Sequence, residues 1–343
     1  METCPSFVTG GCGFVGRHLV NKLLENGQSV WILDNLFTGQ HPDKWLKGFT
    51  KISNNGKLVY QKTGQEVVFI ERDALDFFLD QIKNRSKESL PNFSDVFHLA
   101  SVVGGRAIIE GDPMLVASDL AIDSLFFLWA SKNKNRLARI LYASSSAVYP
   151  VHLQTRYTKE ALSENHVNFE KEIGVPDMTY GWSKLSGEYL SRFASKYYGL
   201  HVACVRPFSG YGEDQDLAYP VPALATRIGR RENPVEVWGT GEQGRDFVNI
   251  DDCINAFFVV LDKVSDGSGV NIGTGKLTSF NQVLSILAKL EGYSPSIKPL
   301  INKPVGVHAR YTDITKIQSL GWRPKISLEE GLGRVLHSVK NNL

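Results

Sequence analysis

The sequence has little net charge, few cysteines and no long apolar run, and each absence removes a class of protein. Its 343 residues hold 38 lysines and arginines against 36 aspartates and glutamates, so no strong field favours a nucleic-acid or membrane partner. The four cysteines are far apart and form no metal-like pair, which predicts reduced thiols in a cytoplasmic protein. Neither a signal-peptide pattern nor a stretch able to cross a bilayer is visible. The composition, 42% apolar and 22% charged, is typical of a globular enzyme.

What the sequence does have is a glycine-rich segment close to residue 1. Apolar Phe7-Val8 predicts a buried strand, and Gly10-x-x-Gly13-x-x-Gly16 connects it to a helical pattern. Such a strand, turn and helix are the parts of a dinucleotide site, because bare backbone N–H groups and the helix N-terminus attract a pyrophosphate. The first gap is one residue wider than in the commoner glycine motif. A glycine-rich turn without a ligand is the alternative.

A second apolar run, Val30–Leu33, ends in Asp34. A carboxylate at this distance from the glycines can accept hydrogen bonds from the adenosine ribose hydroxyls. It would repel a 2′-phosphate, so we expect NAD rather than NADP. The alternative interpretation of Asp34 is an acid in a strand-end turn.

The pattern of the whole chain predicts an α/β fold with a Rossmann-type doubly wound parallel sheet. Six apolar strands between residues 6 and 206 alternate with helical patterns near 75–84, 113–132 and 180–198. Asn54–Lys57 predicts a hairpin turn. Prolines and glycines then become frequent, with short strands at 235–238, 247–250 and 270–272 and helices near 251–262, 279–291 and 327–340. We therefore expect an NAD-binding domain over 1–206 and a smaller mixed α+β substrate lobe over 207–343, with some segments interleaved.

Tyr180 and Lys184 lie four residues apart in the helical pattern that follows the fifth strand. Residues at this spacing share one helix face, and an ammonium ion close to a phenol lowers the phenol's pKa. The phenol could then exchange a proton with a substrate alcohol, while the lysine could also hold the nicotinamide ribose. Most such pairs have only a structural role. The position of this pair, after the fifth strand of a predicted NAD-binding domain, favours a catalytic role.

A run of serines, Ser144-Ser145-Ser146, directly follows the fifth strand. Loops at the carboxyl ends of parallel strands line the ligand crevice, where a hydroxyl can hydrogen-bond a substrate oxygen. A plain serine-rich turn is the alternative.

Taken together, these motifs resemble the extended short-chain dehydrogenases/reductases of the nucleotide-sugar epimerase/dehydratase family. The matches run the length of the chain: Thr9–Gly16, Asp34-Asn35, Arg72-Asp73, His98–Ser101, Ser144–Tyr149, Tyr180–Lys184, Arg206-Pro207, Gly244–Val248 and Leu320–Pro324.

The resemblance implies a role for each matching residue. It makes Tyr180 the general base, Lys184 its partner and Ser145 the hydroxyl that anchors the substrate. Arg245 and Arg310 would grip the diphosphate of a nucleotide-sugar substrate. The resemblance also implies an NAD site of Gly10, Gly13, Phe14, Val15, Gly16, Asp34, Asn35, Asp73, Ala100 and Lys184. Ser146 and Ser209 are the remaining substrate-binding candidates, Ser209 standing where the family has a phosphate-site asparagine.

Departures from the family pattern reduce the number of reactions to be expected. Dehydratases of the family carry Asp-Glu after the catalytic threonine, where this chain has Ser146-Ala147. Dehydration is therefore disfavoured, and epimerisation at carbon 4 through a transient ketone is expected.

Two rival interpretations stay open. Ser101–Gly105 and Val237–Gly241 resemble stretches of GDP-fucose synthases and GDP-mannose 3,5-epimerases, although those enzymes use a cysteine where this chain has Ala147. A non-catalytic NAD-sensing protein on the same fold is the more remote possibility.

Two surface features carry further expectations. Family relatives are often homodimers, and an apolar face of Leu120, Ser124, Phe127 and Leu128 could form the interface. The acidic loop at 210–219 either shapes the sugar pocket or is a solvated turn.

Overall fold

The structure, a computed structural model, describes residues 4–54, 57–86, 88–104, 106–158 and 160–343. Within them the strands are β1 (Ser6–Thr9), β2 (Val30–Asp34), β3 (Thr50–Asn54), β4 (Lys57–Lys62), β5 (Gln65–Glu71), β6 (Phe93–His98), β7 (Leu137–Ala143), β8 (Val202–Pro207), β9 (Ser209–Tyr211), β10 (Val235–Trp238), β11 (Gly244–Arg245), β12 (Phe247–Asn249), β13 (Asp266–Ile272), β14 (Thr278–Ser279), β15 (Ile297–Leu300) and β16 (Ala309–Arg310). The helices are α1 (Phe14–Glu25), α2 (Ala74–Ile82), α3 (Arg106–Gly111), α4 (Pro113–Ala117), α5 (Asp119–Lys132), α6 (Met178–Tyr198), α7 (Pro220–Gly229), α8 (Ile250–Lys263), α9 (Phe280–Glu291), α10 (Thr315–Ser319) and α11 (Leu328–Lys340).

One large sheet organises these elements. Its order is β13-β8-β7-β6-β1-β2-β5-β4-β3, in which every neighbouring pair from β13 to β5 is parallel. All six predicted strands take part, and the predicted Rossmann-type α/β fold is confirmed. Because the order reverses direction on either side of β1, the crevice for a ligand opens at the carboxyl ends of β1 and β6.

Helices cover both faces of this sheet and bury it completely at its centre. Successive residues of a strand point to opposite faces, so Phe7 packs into one core and Val8 into the other. The core around Val8 contains residues of α1 and α8, and the core around Phe7 contains residues of α2, α5 and α6. Two-sided burial explains why the strands are nearly continuous apolar runs in the sequence.

A second lobe is built from α7, α9, α11 and short strand pairs. Its separate core contains Leu224, Leu284 and Leu332, one from each helix. The strand predicted at 270–272 for this lobe belongs instead to β13, which pairs with β8 at the edge of the large sheet. Helix α8 likewise packs against the sheet core through Phe257. The chain therefore returns to the first domain after β12, which is an interleaving of the two regions.

The predicted hairpin extends the opposite edge of the sheet. Strands β3 and β4 pair antiparallel and β4 continues onto β5. Residues 55 and 56 at the centre of the predicted turn lie outside the described residues.

One helical stretch in the described part of the chain, Pro113–Lys132, is long and apolar enough by length and composition to cross a membrane. By length and composition, this stretch contradicts the expectation that the sequence holds none able to cross a bilayer. Its residues Ile122, Phe126 and Trp129 belong to the core beneath the sheet. Burial against β6 and β7 accounts for the apolar character of these residues, whereas Met114, Leu120 and Leu128 of the same stretch are exposed.

Candidate active site

The glycine turn is shaped by close packing at two of its glycines. Gly10 has a φ of 71°, and a Cβ on it would lie 2.8 Å from the backbone nitrogen of Ala100. A Cβ on Gly16 would overlap the Gly10 carbonyl oxygen, whereas one on Gly13 would lie 3.4 Å from that oxygen. Gly10 and Gly16 are thus required by the fold, and Gly13 lies on the open side of the turn.

On that open side, the turn presents backbone amides that have no partner within α1. Gly13 is the N-cap of α1, and the first bond within the helix is donated by Arg17 N to Gly13 O at 2.9 Å. The amides of Phe14, Val15 and Gly16 therefore precede the helical bonding pattern. An open face, free amides and a helix N-terminus together fit an NAD pyrophosphate.

Asp34 lies beside this turn, at the end of β2. Its Oδ2 accepts from Cys12 N at 2.9 Å and its Oδ1 accepts from Leu36 N at 2.8 Å. Burial raises the pKa of the Asp34 carboxyl, and the backbone donors oppose the rise. The carboxylate therefore braces the glycine turn itself. The sequence did not suggest that second task.

Asn35 and Asp73 are brought together by the neighbouring strands β2 and β5. Asn35 Nδ2 donates to Asp73 Oδ2 at 2.9 Å, and Asp73 Oδ1 accepts from Leu75 N at 2.9 Å, which caps α2. Ala100 lies on the other side of the crevice, where its N–H donates to Thr9 Oγ1 at 3.2 Å. The structure thus brings the glycine turn, Asp34, Asn35, Asp73 and Ala100 to the carboxyl ends of neighbouring strands.

Tyr180 and Lys184 lie in the first two turns of α6, with Lys184 Nζ 6.0 Å from the centre of the Tyr180 ring. Tyr180 is partly exposed, and Lys184 is only 2% exposed. Burial raises the pKa of Tyr180 above its usual value, and the Lys184 charge and a hydrogen bond with the Ser145 hydroxyl, which lower this pKa as expected, offset only part of the rise. The three predicted catalytic residues therefore form one set.

Ser145 reaches this set because its loop packs directly on α6. Its Oγ accepts from Ala147 N at 3.1 Å and caps a short 3-10 turn over Ser146–Val148. The Ala147 carbonyl accepts from Asp177 N at 2.9 Å, and a Cβ on Gly181 would lie 2.5 Å from that same carbonyl oxygen. Ser146 and Ala147 are buried in this turn, at 5% and 3% exposure.

The two predicted substrate arginines lie side by side because β11 and β16 pair in parallel with Arg245 opposite Arg310. Arg310 Nη2 donates to Asp177 Oδ2 at 2.8 Å. Arg245 donates to the carbonyls of Gly244 and Val305, and forms no ion pair among the described residues. Burial, assisted by the Arg310 charge, lowers the pKa of Arg245 to about 9.

Two members of this cluster, Arg106 and Asp177, were not predicted from the sequence. Arg106 at the start of α3 donates through Nη1 to both Asp177 oxygens at 3.0 Å. Asp177 is the N-cap position of α6, three residues before Tyr180, and that spacing is the one signal that could have indicated it. Arg106 had no local signal, because its partner belongs to a distant helix.

Ser209 lies near the arginines, on β9. Its N–H donates to the carbonyl of Asp246, the residue after Arg245, at 2.9 Å. The acidic loop has a different position. Asp214 accepts from Arg17 and from His18 Nε2 at 2.7 Å, so it joins the loop to α1. Neither of the two expectations for this loop describes that contact between the lobes.

A comparison with protein-family models identifies the family. Residues 6–273 match the model of the NAD dependent epimerase/dehydratase family. The chain belongs to this family. The predictions of an NAD-dependent enzyme family and of NAD as its cofactor are thereby confirmed.

Similar proteins agree with that assignment along the whole chain. A putative UDP-glucose 4-epimerase of Methanocaldococcus jannaschii is 31% identical over 341 residues, which cover 98% of each protein. The UDP-glucose 4-epimerase of Thermotoga maritima, solved with UDP-glucose, has a TM-score of 0.79 and 29% identity, with 98% of this chain and 99% of that one covered. The Thermus thermophilus UDP-glucose 4-epimerase, solved with NAD, has a TM-score of 0.77 and 25% identity, with 99% and 100% covered.

Proposed function

We propose that this family member is a UDP-sugar 4-epimerase. The observation that carries the proposal is the intact set of Ser145, Tyr180 and Lys184 beside a turn that holds Ser146 and Ala147. Neither Ser146 nor Ala147 supplies the acid or base that dehydration needs. The names of the similar proteins support UDP as the nucleotide.

The residues of the site account for the proton part of such a reaction. Tyr180 as a phenolate takes the proton of the sugar 4-hydroxyl, and Lys184 stabilises the negative charge that Tyr180 carries. Ser145 hydrogen-bonds the same sugar oxygen as it becomes a ketone. Bound NAD would accept the hydride from carbon 4 and supply it again. After the ketone has rotated to present its other face, Tyr180 returns the proton to the sugar oxygen.

The arginine cluster fits the diphosphate of the substrate. The described side chains there comprise three guanidinium groups and two carboxylates, those of Asp177 and Glu110, which leaves one net positive charge. A nucleotide diphosphate carries two negative charges when one sugar and one nucleoside are attached. The excess of positive charge supports the binding of such an anion. We place Ser146 and Ser209 at the sugar and phosphate ends of the same cleft. It lies between the predicted nucleotide-binding domain (1–206), which α8 and β13 also join, and the rest of the predicted substrate lobe (207–343).

A homodimer is part of the proposal. The solvent faces of α5 and α6 carry exposed apolar side chains, among them Leu120, Leu128, Tyr189 and Phe193. Phe127, which the sequence placed on this face, is 5% exposed and packs in the sheet core instead. Sedimentation analysis of the protein and of a Phe193→Asp variant would test the interface. The four free thiols support the expected cytoplasmic location.

The test of function is incubation with UDP-glucose, UDP-galactose, UDP-glucuronate, GDP-mannose and dTDP-glucose in heavy water, followed by NMR. We expect inversion at carbon 4 of a UDP-sugar without deuterium incorporation, because the hydride never leaves the site. Ser145→Ala and Tyr180→Phe should each suppress this inversion.

Other results would favour the rival functions. Deuterium at carbon 3 or 5 would indicate a 3,5-epimerase, although Ala147 offers no second base. Loss of a hydroxyl would indicate a dehydratase, and consumption of NADPH a reductase. NAD binding without turnover of any sugar would indicate a sensor.

A further inference from the structure

A chain of buried polar side chains runs from the glycine turn to the region beneath Lys184. Ala100 N donates to Thr9 Oγ1, which lies 2.8 Å from His98 Nδ1. His98 Nε2 lies 3.1 Å from Asp123 Oδ1. Thr9, His98 and Asp123 are each at most 1% exposed. This chain plays no part in the proton transfer proposed above.

The hydrogen bonds in this chain of side chains all run towards Asp123. Tyr142 donates its hydroxyl to Asp123 Oδ2 at 2.5 Å. Burial lowers the pKa of His98, so its ring is neutral, with Nε2 donating to Asp123 and Nδ1 accepting from Thr9. Asp123 thus accepts from two donors, which is the arrangement of an ionised carboxylate. The hydrogen-bonded chain of side chains therefore ends in the fixed negative charge of Asp123.

That negative charge lies against the catalytic helix. Lys184 Nζ is 5.4 Å from the centre of the Tyr142 ring, whose hydroxyl bonds Asp123. Gly187, one turn after Lys184, allows the approach, because a Cβ there would overlap the Tyr142 hydroxyl and lie 2.7 Å from Asp123 Oδ2. Helices α5 and α6 therefore meet where the carboxylate lies.

Several groups act on Lys184, and their balance favours the ammonium ion. Burial lowers the pKa of Lys184, but Asp123 and then Asp119 raise it above the usual range. Asp119 accepts from Ser101 Oγ and Val102 N, and burial raises the pKa of its carboxyl to about 6. The groups facing Lys184 are Asp119 and Asp123 of α5, His98 of β6, Tyr142 of β7, Cys204 of β8 and Tyr180 of α6.

We propose that Asp123 is a positioning residue: it holds Lys184 as an ammonium ion against Tyr142 and so sets the pH range in which Tyr180 can exchange a proton with the sugar. The proposal rests on the roles proposed above for Tyr180 and Lys184. It assigns the buried chain from Thr9 to Asp123 a function beyond packing, because the chain fixes the orientation of this carboxylate from the cofactor side.

The first measurement is the pH profile of kcat/KM for the Asp123→Asn variant. Removing the negative charge lowers the pKa of Lys184, so the neutral amine forms at lower pH and Tyr180 loses its partner. We expect the alkaline limb to move down by about one pH unit, a roughly tenfold change in the protonation equilibrium. Asp95→Asn is the matched control: Asp95 is 2% exposed, lies on β6 and pairs with Arg139. Its profile should equal that of the unmodified protein.

The second measurement needs no substrate. NMR of lysine-labelled protein follows the Lys184 titration, with Lys184→Met to assign the signal. An Asp123→Asn titration identical to that of the unmodified protein would overturn the proposal, whichever sugar is turned over. A lowered titration in a protein that turns over no sugar would support the charge assignment and contradict the function proposed above. If Asp123→Asn does not fold, Tyr142→Phe replaces it, and a smaller shift in the same direction is required.

Discussion

Two clusters of buried charge lie in the same cleft and have opposite balances. Around Lys184 one cation faces two carboxylates, Asp119 and Asp123. Around Asp177 three guanidinium groups face two carboxylates, Asp177 and Glu110, and Arg245 has no carboxylate partner among the described residues. A buried charge with its partners in place fixes geometry, whereas a buried excess of one sign favours a ligand of the other sign. In the function proposed above, this difference separates the catalytic side of the cleft, around Lys184, from its binding side, around Asp177.

Tyr180→Phe should have the largest effect, on the catalytic side alone. Removing the hydroxyl abolishes the proton exchange, so we expect kcat to fall by about 10²- to 10⁴-fold with little change in KM. Steady-state kinetics with UDP-glucose would measure both. Tyr198→Phe at the exposed end of α6 is the matched control and should behave like the unmodified protein. A KM increase without loss of kcat would place Tyr180 on the binding side.

Lys184→Met should reduce stability strongly, because it leaves two carboxylates buried without their cation. We expect a loss of roughly 3–5 kcal/mol in the free energy of unfolding. Urea denaturation measures it. Adding Asp123→Asn to this variant should recover part of the loss, since the second change removes an uncompensated charge. Strictly additive losses would argue against a coupled pair.

Arg245→Met should do the reverse, weakening binding while leaving stability unchanged or higher. The side chain carries a partly buried charge with no carboxylate partner among the described residues, so its loss relieves the folded protein. We expect KM for the UDP-sugar to rise by roughly 10- to 100-fold, the loss of about 1.5–3 kcal/mol expected for a hydrogen bond to a charge. Arg230→Met, at an exposed arginine after α7, should leave both quantities unchanged. A large fall in stability of Arg245→Met would contradict the idea of a charge excess.

Asp214→Asn should have the smallest effect, on the contact between the lobes. Burial raises the pKa of Asp214, but His18 and Arg17 outweigh it and lower this pKa to about 2. The carboxylate therefore stabilises the folded protein above its ordinary pKa near 4, and this contribution is lost as the pH falls towards 2. Since Asp214 is 44% exposed, we expect about 1 kcal/mol at neutral pH. The stability difference from the unmodified protein should shrink between pH 4 and 2, and a constant difference would contradict the assignment.

Much of the nucleotide site could be predicted because its parts are local in the sequence. Gly10, Gly13 and Gly16 connect a strand to a helix within one short segment, and Tyr180 and Lys184 share a helix face at any tertiary arrangement. The substitution of dehydratase acids by Ser146 and Ala147 is likewise visible in the letters alone.

The assignment of β13 and of Phe127 could not be made in the same way. An apolar strand has the same sequence pattern in either lobe, and a helical pattern does not distinguish a core face from an interface. Both were settled by neighbours distant in the chain: β8 beside β13, and the sheet core around Phe127.

The sequence by itself determined the doubly wound α/β class, the glycine turn and the spacing of Tyr180 and Lys184, because each depends on residues close together in the chain. Only the tertiary structure decided the balance of charge in the cleft. Arg106 meets Asp177, Arg245 lies opposite Arg310, and Asp123 lies beneath Lys184 through pairings of remote strands and helices. The physical reason is that electrostatic interaction depends on distance and burial, and the fold alone sets both for residues far apart in sequence.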